Sequence, residues 1–143
     1  MTIATVHTSR RLNITLWIVQ VLVALFFIGA AAIPKLLGDP TAVRIFEQIG
    51  GDWFRYLTGS LEFAGALGLL IPPLAGLGAL GLTGVMIGAT ITQLAVLDGP
   101  AGTSTPIALG IVLALIAWGR WPRTKALLHG HLSGDDRLDT TAT

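Results

Sequence analysis

Four long apolar blocks run along this chain, divided by short breaks of proline, glycine and charged residues. They cover residues 12–33, 53–71, 74–96 and 106–118. None shows the strict apolar–polar alternation of a half-buried strand. A helix needs roughly 20 apolar residues to cross a bilayer, and three of the blocks approach or exceed that length. Backbone groups in hydrocarbon must be satisfied within their own segment, so the blocks are predicted to be helices. Short connections make sequential helices antiparallel neighbours. The expected fold is all-α, an integral membrane four-helix bundle running up-down-up-down. The expected organisation is an N-terminal segment over 1–11, a membrane domain over 12–121 and a polar tail over 122–143.

The breaks refine this picture. Pro34 and Gly38 are expected to end the first helix. Asp39 then offers an N-cap oxygen, with Pro40 at the first helical position. Over residues 41–49, Val43, Phe46 and Ile49 recur three apart among Arg44, Glu47 and Gln48. This predicts a short amphipathic helix between helices one and two. It either lies at the membrane interface or packs on the bundle as a loop helix. Gly50 and Gly51 end it, Pro72 and Pro73 turn the chain between helices two and three, and a polar loop at 98–105 leads to helix four. Arg10 and Arg11 before the first block imitate a signal peptide, but the apolar run is too long for one. It is expected to stay as the first membrane helix.

Composition agrees: 52% of residues are hydrophobic and 12% charged, about half the charge of an ordinary soluble domain. A net charge of +1 and the lack of a basic run give no reason to expect nucleic acid. The chain has no cysteine, which excludes disulfides, thiol redox chemistry, cysteine-ligated iron–sulfur clusters and covalent haem. Arg10 and Arg11 precede helix one, and Arg120, Arg123 and Lys125 follow helix four. The positive-inside rule therefore puts both termini in the cytoplasm. Trp17, Trp118 and Trp121 would then lie at the inner interface, and Trp53 and Tyr56 at the outer one.

Two groups of residues carry whatever chemistry there is. The first is small: Gly65 in helix two and Gly81, Gly84 and Gly88 in helix three. Such residues let helices approach closely. They are expected at helix contacts, either within the bundle or between subunits of a homo-oligomer, and the internal role predicts that Gly84→Leu unfolds the protomer. The second group is polar. Glu62 is the one ionisable residue deep in an apolar block, where a carboxylate needs a partner, a proton or a water-filled cavity. At about 1.5 Å per residue it lies roughly 9–14 Å below the outer surface. Lys35, Arg55, Tyr56, Thr90 and Gln93 fall in the same half and are expected to converge with it on one cavity.

Each has a plainer alternative. Lys35 can snorkel to headgroups. Gln93 can serve as an interhelical hydrogen bond. Glu62 can be a structural carboxyl, its neutral form favoured by burial and its charged form by a nearby ammonium. Gln20, near the inner side, is expected to pack against helix two or four. His7, His129 and His131 all lie outside the blocks, so no buried pair is available for a haem. No nucleophile–base pair, phosphate-binding loop or metal motif is present, and no catalytic residue is assigned.

The order Gly29, Lys35-Leu36, Phe46, Trp53-Phe54-Arg55, Gly59, Glu62, Gly65, Leu70-Ile71-Pro72, Gly88-Ala89 and Thr92-Gln93-Leu94 resembles the DoxX family of small bacterial membrane proteins. The resemblance spans about residues 12–120. It implies a four-helix protein of the inner membrane and places Lys35 and Glu62 at the family's polar positions. It also implies a link to quinone- or sulfur-linked redox complexes. Gln93 departs from the pattern, since relatives often carry histidine before that leucine, and glutamine neither shuttles protons nor binds metals as histidine does.

Three functions follow as expectations. The first is a non-catalytic component that anchors or assists a membrane redox partner, with an outer cavity for a quinone head or a lipid. The second is a subunit of a quinone-linked oxidoreductase in which Glu62 handles protons. The third is a small-solute transporter coupled through Glu62. No cofactor is evident besides such a quinone.

Overall fold

In a computed structural model, residues 10–97 and 102–132 are described, and among them every regular element is helical. The N-terminal nine residues, residues 98–101 and the tail at 133–143 lie outside the described residues, as does His7. Helix α1 (Arg10–Phe26) passes into a π-helical turn (Phe27–Ala32) and then into α2 (Ile33–Leu37). The three form one rod of 28 residues, Arg10–Leu37. The amphipathic α3 (Pro40–Glu47) follows, then α4 (Gly51–Leu70). A 3-10 turn (Pro72–Leu74) leads into α5 (Ala75–Ala95), and the long α6 (Ser104–Leu132) completes the described chain.

Three of these are long and apolar enough to cross a membrane: Arg10–Leu37, Pro72–Ala95 and Ser104–Gly130. Helix α4 has 20 residues but carries Asp52, Arg55 and Glu62. Its mean apolarity is diluted by side chains that the structure pairs internally.

Two prolines behave differently from the sequence expectation. Pro34 does not end the first helix. A proline inside a helix lacks its N–H, and its ring clashes with the carbonyl four residues back. The turn before it widens to π geometry, with Ile33 N–H donating to Ile28 O, and the rod continues to Leu37. Gly38, at φ 76° in the left-handed region, then terminates it. Pro122 is likewise passed over: α6 runs on to Leu132, well beyond the expected end at 118. Asp39 caps α3 as predicted, its carboxylate accepting from the Thr41 and Ala42 N–H groups at 2.9 and 3.4 Å.

The core is built from Val23, Ala24 and Phe27 on the first rod, Ala66 and Leu69 on α4, Ala79, Leu82 and Met86 on α5, and Leu113, Ile116 and Ala117 on α6. Facing away from it are half- to mostly exposed apolar side chains such as Leu22, Leu25, Ile87, Ile91, Ile111 and Leu115. An apolar outer surface around an apolar core is what a bilayer solvates.

Glycines set two of the closest helix contacts. A Cβ on Gly65 would stand 2.6 Å from Leu82 Cγ, and one on Gly78 would stand 2.8 Å from the Gly65 carbonyl oxygen. Helices α4 and α5 therefore meet almost backbone to backbone. A Cβ on Gly59 would stand 3.1 Å from Lys35 Cβ, which draws α2 against α4.

Candidate functional site: an ion pair on the wall of an apolar cavity

Gly59 and Glu62 lie one helical turn apart on α4, so the face that admits α2 also carries the carboxylate. Lys35 reaches it there. Its Nζ stands 2.8 Å from Glu62 Oε2 and 3.1 Å from Oε1, and also donates to Ala31 O at 3.2 Å. The Ala31 carbonyl belongs to the π turn, so the irregularity caused by Pro34 also supplies part of the lysine's setting. The Glu62 side chain is 4% exposed and that of Lys35 20%, so the lysine is the accessible member of the pair.

Beside the pair, Arg55 ties the corner together. Its Nη1 donates to the Lys35 carbonyl oxygen, and its Nε and Nη2 donate to Asp52 Oδ1 at 3.1 and 2.8 Å. The guanidinium carbon lies 4.3 Å from the centre of the Tyr56 ring. Gly38 lies against the same guanidinium: a Cβ there would be 3.7 Å from Nη1. The arginine thus fixes the end of the first rod against the start of α4.

The ion pair borders a cavity of about 690 Å³. Its walls come from the π turn and α2, from α3, from α4 and from the C-terminal part of α5. Most of the lining is apolar: Ile45, Phe46 and Ile49 cover it from the side of α3, and Leu57 and Leu61 flank it on α4. Phe46 is buried and stacks obliquely on Phe54 at 6.0 Å between ring centres. The short helix therefore packs on the bundle over the cavity.

Of the six polar residues expected to converge, Lys35, Glu62 and Gln93 line this cavity. Arg55 lies behind it as a brace. Tyr56 is half exposed beside Arg55, and Thr90 turns its hydroxyl back to Met86 O at 2.8 Å, so neither reaches it. Asp39, Thr41, Thr58 and Thr92 also line it, Asp39 having been expected only as a helix cap. Gln93 packs against Gly102, two residues before α6.

Within the protomer the glycines divide. Gly65 sits in a helix contact, but Gly81, Gly84 and Gly88 do not, which corrects the expected internal contact for these three. A Cβ on any of these three would meet nothing within 4 Å, and all three line the cavity. They form a smooth open wall on α5. The contacts of α5 are made instead by its other glycines, Gly78 against α4 and Gly76 against Thr124 of α6.

A second polar cluster lies near the opposite end, and of its members the sequence pointed to the flanking cations and to Gln20, which packs against both helices named for it. Arg120, 3% exposed, donates through Nε to Gln20 Oε1 at 2.6 Å and through Nη1 to Asn13 Oδ1 at 2.7 Å. Gln20 in turn donates to Leu69 O at 2.8 Å. Gln20 therefore bridges α1 to both α4 and α6. The available signal was a glutamine in an otherwise apolar block. Among the described residues no group of three or more metal-ligating side chains occurs, and His129 Nδ1 sits 2.9 Å from Lys125 O of its own helix.

Comparison with known proteins gives one result. The family model described as DoxX-like family matches residues 18–119, which contain most of the first rod, the cavity and the ion pair. No curated protein and no solved structure matches the chain.

Proposed function

The chain belongs to the DoxX-like family, and on that footing we propose that it is a non-catalytic membrane component that holds the head of a quinone in its cavity and assists a membrane redox partner. In this reading α4 crosses the bilayer with the other three long helices, giving an up-down-up-down bundle in the bacterial inner membrane. Both termini are cytoplasmic, supported by Arg10, Arg11, Arg120, Arg123 and Lys125 at one end. The cavity then lies in the outer half.

One observation carries the reading: a Lys–Glu pair forms part of the wall of a mostly apolar cavity wide enough for a ring and the start of a tail. Ligand pockets are commonly apolar, with a few polar groups that fix orientation. A lysine ammonium has three N–H donors. Ala31 O takes one, and the two Glu62 oxygens can share a bifurcated second. The third is then available to a carbonyl oxygen of the ligand. The carboxylate holds the ammonium in place, while the glycine wall of α5 accepts a flat ring face without side chains in the way.

The test is saturable binding of a short-chain quinone to the full chain in lipid nanodiscs, measured by titration calorimetry. Binding that Lys35→Met weakens on the order of tenfold, as loss of one good hydrogen bond implies, supports the reading. A folded chain with no saturable quinone binding, or a Lys35→Met variant that binds unchanged, contradicts it.

A further inference from the structure

We infer that the end of the bundle opposite the Lys35–Glu62 pair contains an anion site in which Arg120, with Arg10 and Arg123, receives a phosphate group. The site is a separate cavity of about 240 Å³ lined by Arg10, Asn13, Gly119, Arg120, Pro122 and Arg123. Three of these six are cationic and none is acidic. The central one is buried and held in place: Gln20 and Asn13 take its Nε and Nη1, and Trp17 lies 5.7 Å from its guanidinium carbon. Those partners are neutral. The buried Nη2 has no hydrogen-bond partner among the described residues.

A buried charge without a counter-charge, and a buried donor without an acceptor, are both costly. A guanidinium that lines the cavity, is oriented by neutral acceptors and keeps one N–H group without an acceptor is completed by an oxyanion. Arginine's planar fork matches phosphate oxygens in paired hydrogen bonds. Arg10 and Arg123 are exposed, one at the start of α1 and one on α6, and add positive charge to the same cavity.

Depth fits a phosphate at a membrane surface. Arg120 lies sixteen positions beyond Ser104 at the start of α6. At about 1.5 Å per residue this is roughly 24 Å along the helix, close to the far boundary of a hydrocarbon core about 30 Å thick. The phosphate can therefore come from an anionic lipid headgroup or from the adjoining water.

The experiment uses the full chain in phosphatidylcholine nanodiscs, with native mass spectrometry and thermal unfolding as readouts. In one arm phosphatidylglycerol is titrated into the bilayer, and in the other inorganic phosphate is added to the buffer. A lipid site retains phosphatidylglycerol in preference to phosphatidylcholine and ignores inorganic phosphate. A free-anion site gives saturable stabilisation by inorganic phosphate.

The Arg10→Gln/Arg123→Gln variant keeps every hydrogen bond of Arg120, so it is expected to fold. It should lose affinity roughly fivefold per arginine removed. Arg44→Gln, on α3 at the other end, serves as the charge control and should bind normally. The proposal is overturned if neither probe binds saturably, so that water alone fills the cavity. It is also overturned if the double variant binds as tightly as the native chain, or if Arg44→Gln weakens binding as much.

Discussion

Replacing Lys35 by methionine removes the one cation that the structure places on Glu62, and its effect on stability can be worked out in advance. Breaking a buried ion pair by deleting one partner costs about 3–5 kcal/mol, because the other charge stays buried without compensation. Here the Lys35 side chain retains 20% exposure while Glu62 retains 4%. Solvent screening of the lysine lowers the expected cost to roughly 2–3 kcal/mol. Replacing both partners by apolar groups, Lys35→Met with Glu62→Leu, leaves no uncompensated charge and should return to within about 1 kcal/mol of the native chain. The two single changes are then strongly non-additive, with a coupling of about 2 kcal/mol or more. Reversible unfolding in mixed micelles, titrated with dodecyl sulfate and followed by circular dichroism, measures all four corners of the cycle. A coupling below about 0.5 kcal/mol, the level of independent sites, would refute the pair as a structural interaction.

Other substitutions separate helix contacts from cavity wall. Gly84→Leu should leave the fold intact, since a Cβ there meets nothing, while its side chain fills the cavity and abolishes quinone binding; a chain that unfolds in the same micelles would contradict this. Gly78→Leu, by contrast, drives a side chain into the backbone of α4 and should prevent folding, judged by loss of a monodisperse peak in detergent. Gly59→Leu pushes α2 from α4 and separates the ion pair, so a further Lys35→Met change should add little to its cost in unfolding titrations. Gln20→Leu strips a buried acceptor from Arg120 and a donor from Leu69 O and should destabilise by about 3 kcal/mol on the same titration.

How far the sequence could be read depends on what each residue announces. A carboxylate and a lysine amid apolar residues stand out because their placement is costly, whatever the fold. Apolar blocks of bilayer length stand out for the same reason, since lipid leaves the backbone few choices. Glycines are different. Gly84 and Gly88 show the same four-residue spacing whether a neighbour presses on them or a cavity opens above them. What decides is the position of Leu82 and Gly78 on α5, which turns a different face of that helix towards α4.

Prolines are similarly ambiguous. Pro34 and Pro122 each look like a helix end, yet a local widening at the first and continuation of α6 at the second let tertiary packing win over local preference. Arg120 was readable only as one of several flanking cations. Its partners Asn13 and Gln20 stand more than a hundred and exactly a hundred positions away, respectively, and no periodicity links them.

The reading as a quinone-holding component is tested most directly by a photoreactive quinone cross-linked to the full chain in nanodiscs, with labelled peptides identified by mass spectrometry. The account predicts label on the α5 wall around Gly84–Gln93 and on the facing part of α4 near Leu57 and Leu61, abolished by Gly84→Leu and competed by unlabelled quinone. Label spread over lipid-facing positions such as Ile111 and Leu115, indifferent to competitor and to Gly84→Leu, would contradict it.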